Sequence, residues 1–497
     1  MKIEVKTAIP SGAVPVILVK GGKLTETHLF FTQLSKENKQ FIKAVLTKAP
    51  LRGDTARRIF LPDGEEVMVI GAVERRAFTR RKAILVARRI VAYAKWERIS
   101  RVAVSLSDFF AGTGEHDEKE CLEVMATQCE MANFEFVRYK TVPKEGWSFL
   151  ESVHFVIPKE NKLFVEAARR GKIIGEEVNR ARELSNTPGG DMTPGRLAEE
   201  ALQTGRECGF KVKVLGESEM SELRMGGVLG VAKGSTEKPA FIVLEYFKGK
   251  KREKPVVLVG KGVTFDTGGL NLKPESALYE MHMDMSGGAS VLHAMAALAR
   301  LKVKKNIVGL IPAVENMPSG SSYRPGDQLI TMSGKSIEIM NTDAEGRVIL
   351  ADALTYAKRY DPRLVVDVAT LTGSSMRALG QRASALLTPH RQLEAQFVQI
   401  GEAVGDLVWP MPLWEEYEED IRGTFGDLAN TGKTKYGGVI TAAVFLRQFV
   451  KDDEGKDSYP WVHIDIAPRM TSIEGDALAK GAVGAGMSLL VRLLQKK

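Results

Sequence analysis

Short apolar runs alternate with helical stretches along almost the whole chain. Residues 14–19 and 67–70 are apolar and rich in β-branched side chains, the pattern of buried strands. Residues 81–96 place apolar side chains at a period near 3.6, which predicts a helix. Residues 102–106 (strand), a stretch around 118–131 (helix), an alternating run at 134–139 (strand) and residues 153–157 (strand) continue the series. Val142-Pro143-Lys144-Glu145-Gly146 reads as a turn between the last two. A long amphipathic helix is predicted from about 161 to 184, ahead of a Pro/Gly-rich segment. This places a domain boundary near 160, with the helix as connector.

Beyond it the units lengthen. Strand patterns at Lys211–Leu215, 240–246, 255–259, 307–314 and Leu364–Ala369 alternate with helical patterns at 288–301, 347–360 and 441–450. The expected class is α/β: a small N-terminal α/β domain (1–160), then a larger domain (161–497) with a mostly parallel sheet covered by helices. In such sheets, active sites collect at the carboxyl ends of the strands.

Composition adds bounds. Of 497 residues, 44% are hydrophobic and 27% charged, an ordinary globular balance. No apolar run approaches the ~20 residues of a bilayer span, and the start lacks a basic-then-apolar secretion pattern. Cys121, Cys129 and Cys208 are too few and too widely spaced for a disulfide framework or a zinc knuckle, which points to a reducing, cytoplasmic setting. The net charge of +8 raises an acidic partner such as nucleic acid. Yet basic and acidic residues are interleaved, and the densest patch (Arg75, Arg76, Arg80, Arg81, Lys82, Arg88, Arg89) has helical spacing, as on a solvated helix face.

Candidate chemistry sits where strand patterns end. Asn341-Thr342-Asp343-Ala344-Glu345-Gly346-Arg347 is a polar turn between the apolar Ile337–Met340 region and residues 348–354. Two acids held close in a partly dry turn need a cation or a proton. The alternative is that the aspartate caps the following helix, with Glu345 in its first turn. Gly260-Lys261-Gly262-Val263-Thr264-Phe265-Asp266-Thr267-Gly268-Gly269 follows another strand pattern; it lacks the glycine and Ser/Thr spacing of a phosphate-binding loop. Asp284 lies among Met281, Met283 and Met285, unusual company for an acid without a partner. Lys261, Asp266, Lys273, Asp284, Asp343, Glu345 and Arg347 thus arrive from separate strand-to-helix connections. Converging carboxylates with no cysteine suit magnesium, manganese or zinc. Two such ions make a hydrolytic site, activating a water and polarising a carbonyl, with Lys273 and Arg347 as fixed positive charge. No Gly-x-Ser-x-Gly elbow occurs.

These motifs resemble the leucyl aminopeptidase (cytosol aminopeptidase) family of metallopeptidases. The 341–347 stretch looks like its signature. The Val259–Gly269 region with Lys273, Met281 and Asp284 before Gly287-Gly288-Ala289, Asp367-Val368-Ala369-Thr370-Leu371-Thr372-Gly373, Trp409-Pro410-Met411-Pro412-Leu413-Trp414 and His463-Ile464-Asp465-Ile466-Ala467 fall in family order. The resemblance covers roughly 160–495.

It implies a catalytic di-metal domain at 161–497. One ion would be held by Asp266, Asp343 (also through its carbonyl) and Glu345, the other by Lys261, Asp266, Asp284 and Glu345. Lys273 would stabilise the gem-diolate, and Arg347 would hold a bicarbonate acting as general base. Met281, Thr370, Gly373, Ala467 and Met470 would line a pocket for leucine-like side chains of peptides with a free N-terminus. A cytoplasmic homohexamer follows from the same resemblance, with the N-terminal domain serving oligomer contacts or accessory binding. Gly190, Pro468, Arg469 and Val483 depart from the family pattern and put the side-chain preference in question. Two other readings remain: a DNA-binding architectural protein, given the basic charge, and a thiol-linked peptidase acting on Cys-Gly.

Overall fold

The computed structural model describes residues 1–51, 55–74, 77–109 and 118–495. It forms two compact units, Met1–Asn179 with Ile473–Ala479, and Arg180–Ser472 with Lys480–Lys497. The division falls inside the helix Lys162–Asn186, later than residue 160, and a late segment returns to the first unit.

The first unit is built on a sheet of β1 (Lys2–Lys6), β2 (Val14–Lys20), β3 (Lys23–Leu24), β4 (Ala56–Phe60), β5 (Glu66–Ala72), β6 (Arg101–Ser105) and β7 (Ser152–Val156). The order is β1-β7-β6-β2-β5-β4, with β3 beside β2. Among the described residues, only the β2–β3 and β4–β5 pairs of this sheet are antiparallel. Ile17, Val19, Phe30, Phe31, Ile59 and Val69 share one core. The strand expected at 134–139 does not form. Asn133 exchanges two 2.9 Å hydrogen bonds with the Leu150 backbone, and Lys140 N–H turns back onto the Val137 carbonyl. The run ends in a turn at 138–140 and pairs with no strand among the described residues. The basic patch is not a uniformly solvated face either. Arg75 and Arg76 lie outside the described residues, whereas Arg80 and Arg88 are buried, Arg88 donating from Nε to Gln128 Oε1 at 2.7 Å.

The second unit holds β8 (Lys211–Leu215), β9 (Ala240–Phe247), β10 (Val256–Gly260), β11 (Gly262–Asp266), β12 (Asn306–Asn316), β13 (Gln328–Ile330), β14 (Ser336–Glu338), β15 (Leu364–Ala369), β16 (Ser384–Leu387), β17 (Val408–Pro410), β18 (Leu428–Ala429) and β19 (Trp461–Asp465). The main sheet runs β17-β16-β19-β15-β10-β12-β9-β8, with β11 pairing β12. Its centre, β19-β15-β10-β12, is parallel, and antiparallel strands flank it. Central strands are apolar on both sides because helices cover both faces. Burying each branched side chain there contributes about 1.5–3 kcal/mol. Helices Ser286–Arg300 and Glu345–Ala357 are almost wholly buried. The carboxyl ends of β10, β12, β15 and β19 share one edge, and the segments leaving them carry the candidate residues.

Asp352, fully buried in the second helix, holds neighbouring chain in place. Its oxygens accept the Val228 N–H at 2.9 Å and the Met332 N–H at 2.7 Å. Burial pushes its carboxyl up to about 7, against those backbone donors. An amide offers one acceptor oxygen and turns its NH2 toward a donor, so Asp352→Asn is expected to cost about 1–3 kcal/mol. Folding raises this pKa above its unfolded value near 3.9, so the carboxyl's contribution is full at low pH and declines as pH climbs toward 7. Denaturant titrations should therefore show a larger loss at about pH 5 than at about pH 8; an equal loss would contradict the burial argument.

Candidate metal centre

Backbone geometry first brings the residues together. Lys261 follows β10 directly and Asp266 ends β11. Beyond Asp266 the chain turns through Gly268, at φ 88°, a conformation that suits glycine. Asp284 ends a short 3-10 turn ahead of Ser286–Arg300. Asp343 and Glu345 straddle the start of Glu345–Ala357. The N-cap there is Ala344, without a side-chain cap, so Asp343 does not cap the helix. Instead Asp343 turns toward Lys273, forming an ion pair with it. Gly346 leaves room for the Lys261 side chain, whose Cε would lie 2.6 Å from a Cβ at that position.

Four carboxylates and two ammonium groups then interlock. Lys261 Nζ lies 2.7 Å from Asp284 Oδ2 and 2.8 Å from Glu345 Oε1, and donates to the Thr370 carbonyl at 2.9 Å. Lys273 Nζ lies 2.8 Å from Asp266 Oδ2. One carboxylate oxygen each from Asp266, Asp343 and Glu345 fall within 4.8 Å of one another.

The electrostatics are strained. Burial opposes charge on Lys261, yet Asp284, Glu345 and Asp266 raise its pKa above the lysine norm; Lys273 behaves alike beside Asp266, Glu345 and Asp343. Asp266 is pushed up to about 6 by burial and then by Glu345, with Lys273 and Lys261 opposing. Burial lifts Asp284 far above the carboxylate range and Asp343 more modestly. Glu345 resists burial because Lys261 and Lys273 hold it below its usual value. Asp284 Oδ2, Asp343 Oδ1 and Glu345 Oε1 are buried atoms whose partners are the ammonium groups of Lys261 and Lys273. Four carboxylates facing two ammonium groups in a largely buried place leave negative charge in excess, which fits divalent cations. Arg347 is buried, its pKa brought down to about 10 by burial; Nη1 donates to the Asn430 carbonyl at 2.9 Å and Nε has no partner among the described residues.

A supporting layer was not legible in the sequence. Asn316, at the end of β12, donates from Nδ2 to Asp266 Oδ1 at 2.8 Å and to the Thr342 carbonyl at 2.9 Å. The Tyr323 hydroxyl reaches the same carbonyl at 2.7 Å. Asn430, fully buried, accepts the Met340 N–H at 2.8 Å and donates to the Asn341 carbonyl at 2.7 Å, while its own carbonyl receives Arg347. Asn430 is therefore a positioning residue that couples the acid-bearing turn to the arginine. Asn430→Ala is expected to lower kcat/KM or metal affinity about 10–100-fold; an unchanged variant would show the turn holds itself.

The expected side-chain pocket is brought together in part. Met281 packs against Met283, Met470 and Ala482. Thr370 spends its hydroxyl on Asp284 Oδ1 at 2.7 Å, whereas Ala467 and the exposed Gly373 open short helical segments beyond β19 and β15. Among the departures, Gly190 is exposed with open space around it, and Val483 N–H reaches the Met470 carbonyl at 3.3 Å. Pro468 is buried, and Arg469 donates from Nη1 to the Gln381 carbonyl at 2.8 Å.

Residues 179–491 match the model of the cytosol aminopeptidase family, catalytic domain. The chain belongs to the cytosol aminopeptidase family. A probable cytosol aminopeptidase of Syntrophotalea carbinolica is 42% identical over 81% of this chain and 80% of that protein. One from Burkholderia pseudomallei is 36% identical over 93% and 90%. Among solved structures, the bottromycin maturation enzyme BotP in complex with Mn superposes with a TM-score of 0.83 at 29% identity, covering 98% of this chain and 99% of that one. Family membership makes the protein a hydrolase, a metallo-exopeptidase of the aminopeptidase type. The DNA-binding alternative draws no support from these relatives. No described helix is long and apolar enough to cross a membrane.

Proposed function

We propose that this cytosol aminopeptidase removes N-terminal residues, leucine-like ones preferred, through a pair of divalent ions held by Lys261, Asp266, Asp284, Asp343 and Glu345. The observation that carries this reading is the cluster of buried Asp266 and Glu345 with the partly exposed Asp343, and Asp284 and Lys261 alongside. Manganese or zinc, and less readily magnesium, suit that donor set. When bound, such ions lower the pKa of a water, polarise the scissile carbonyl and orient both reactants.

The chain's own groups do the rest. Lys261 can serve as a ligand only as the neutral amine, so it must give up its proton when a cation enters. Asp266 and Glu345 would contribute to both ions, as the family resemblance implies. Lys273 holds a fixed positive charge beside Asp266 and Asp343 and would stabilise negative charge that develops on the carbonyl oxygen. Arg347, with Nε unpartnered, would hold a bicarbonate able to move a proton between water and the leaving amine. Met281 and Met470 supply soft apolar surface for the first side chain. Assembly as a homohexamer in the cytoplasm, with the N-terminal unit serving contacts or accessory binding, rests on family likeness and is testable by sedimentation.

The test is hydrolysis of leucine p-nitroanilide by chelated and manganese-reloaded protein. Activity should vanish and return with metal, and the N-acetylated substrate should resist. Inactive metal-loaded protein would overturn the proposal, and faster turnover of Cys-Gly than Leu-Gly would favour the thiol-linked reading. Because Lys261 must deprotonate, manganese binding followed by calorimetry should release protons and tighten from about pH 6 to about pH 8. Binding that ignores pH would remove Lys261 from the ligand set.

A further inference from the structure

We propose that the opposite end of the catalytic sheet carries a second binding site, for a small carboxylate-bearing organic anion with an apolar tail. A cavity of about 390 Å3 opens there among Val256, Lys305, Arg363, His390, Gln396 and Leu494, a volume within the range of small-molecule pockets. Val256 and Leu364 begin β10 and β15, and Pro460 immediately precedes β19. The cavity therefore lies at the amino ends of the parallel strands, away from the carboxyl ends that bear the metal cluster.

Three observations point to an anion. Among the described residues, the wall includes Lys305 and Arg363 but no Asp or Glu. The two cations repel; burial and Arg363 together lower the Lys305 pKa, with Glu253 opposing from outside the wall. Next, the helix Arg391–Val404 starts at this cavity. Its N-cap, His390, supplies no side-chain cap, and Gln392, Leu393 and Gln396 from its first turns line the wall. The positive end of a helix with uncapped N–H groups favours negative charge. Finally, His390 Nε2 is buried without a hydrogen bond among the described residues, a donor or acceptor left open on the same wall. The remaining lining, from Val256, Leu364, Leu393, Pro460, Leu493 and Leu494, is apolar, which favours an organic anion over an inorganic one.

Calorimetric titration of the full-chain, manganese-loaded protein with 4-methylpentanoate tests this, with acetate and inorganic phosphate as comparison probes. Saturable binding is expected, about tenfold or more tighter for 4-methylpentanoate than for acetate because of its added methylenes. Arg363→Glu, at an exposed position, should weaken it at least tenfold by placing an acid on the wall. Gln396→Trp should block it by filling the cavity. Both variants should keep leucine p-nitroanilide hydrolysis. Binding unchanged in Arg363→Glu would place the anion elsewhere, the metal centre included, and overturn the proposal. So would the absence of saturable binding, or equal affinity for acetate and phosphate. Should Gln396→Trp misfold, the Arg363→Glu comparison still decides.

Discussion

Glu345→Gln should leave a folded protein that has lost its hydrolytic activity to the assay background and most of its metal. Glu345 is buried at the first position of its helix, so packing restricts the torsions that aim its carboxylate. It faces Lys261 and shares the 4.8 Å cluster with Asp266 and Asp343. An amide is nearly the same size but carries no charge and one acceptor, so packing is kept while cation affinity collapses. Metal analysis after dialysis, activity against leucine p-nitroanilide and circular dichroism separate the possibilities. Wild-type turnover with full metal content would remove Glu345 from the centre. A misfolded variant would instead show that its ion pair with Lys261 is required for folding.

The second large effect is expected at Lys273. Lys273→Met should keep the metal yet lower kcat by about a hundred- to a thousandfold, the usual cost of losing one donor to a developing oxyanion. KM should change far less, because the charge acts mainly when negative charge forms on the carbonyl oxygen. Lys273 is positioned for this by its own loop: its N–H binds the Thr267 carbonyl at 2.9 Å, and its ammonium is held beside Asp266. Lys273→Arg should recover part of the rate by restoring charge in a different shape. A kcat within threefold of wild type in Lys273→Met would assign the lysine to balancing Asp266 and Asp343 in the metal-free protein, not to catalysis.

Much of the fold was readable because central parallel strands announce themselves as unbroken apolar runs. β10, β12 and β15 lie close to their expected positions, as do helices Ser286–Arg300 and Glu345–Ala357. The failures share a cause. The run at 134–139 alternates as a strand should, but no strand among the described residues pairs with it. β11 lies in the glycine-rich segment after β10, where no apolar run marks a strand, yet it pairs with β12 through a register shift between Val263 and Phe265. The segment Ile473–Ala479 belongs with the first unit while lying at the far end of the chain. Such pairings depend on which backbone is nearby, and local pattern carries no information about that.

The same line divides the site. Residue identity alone determined which groups could bind cations: acids and lysines just beyond apolar runs, in turns too short to carry them into solvent. It also determined the family, through motifs spread over the larger domain. Only the tertiary structure decided that Asp343 meets Lys273 instead of capping a helix, and that Lys261 lies between Asp284 and Glu345. It alone revealed that Asn316, Tyr323 and Asn430 hold the acid-bearing turn from three separate segments. The physical reason is range. Charge and hydrophobicity belong to each side chain, whereas the distance between two charges is set by every strand and helix that packs between them.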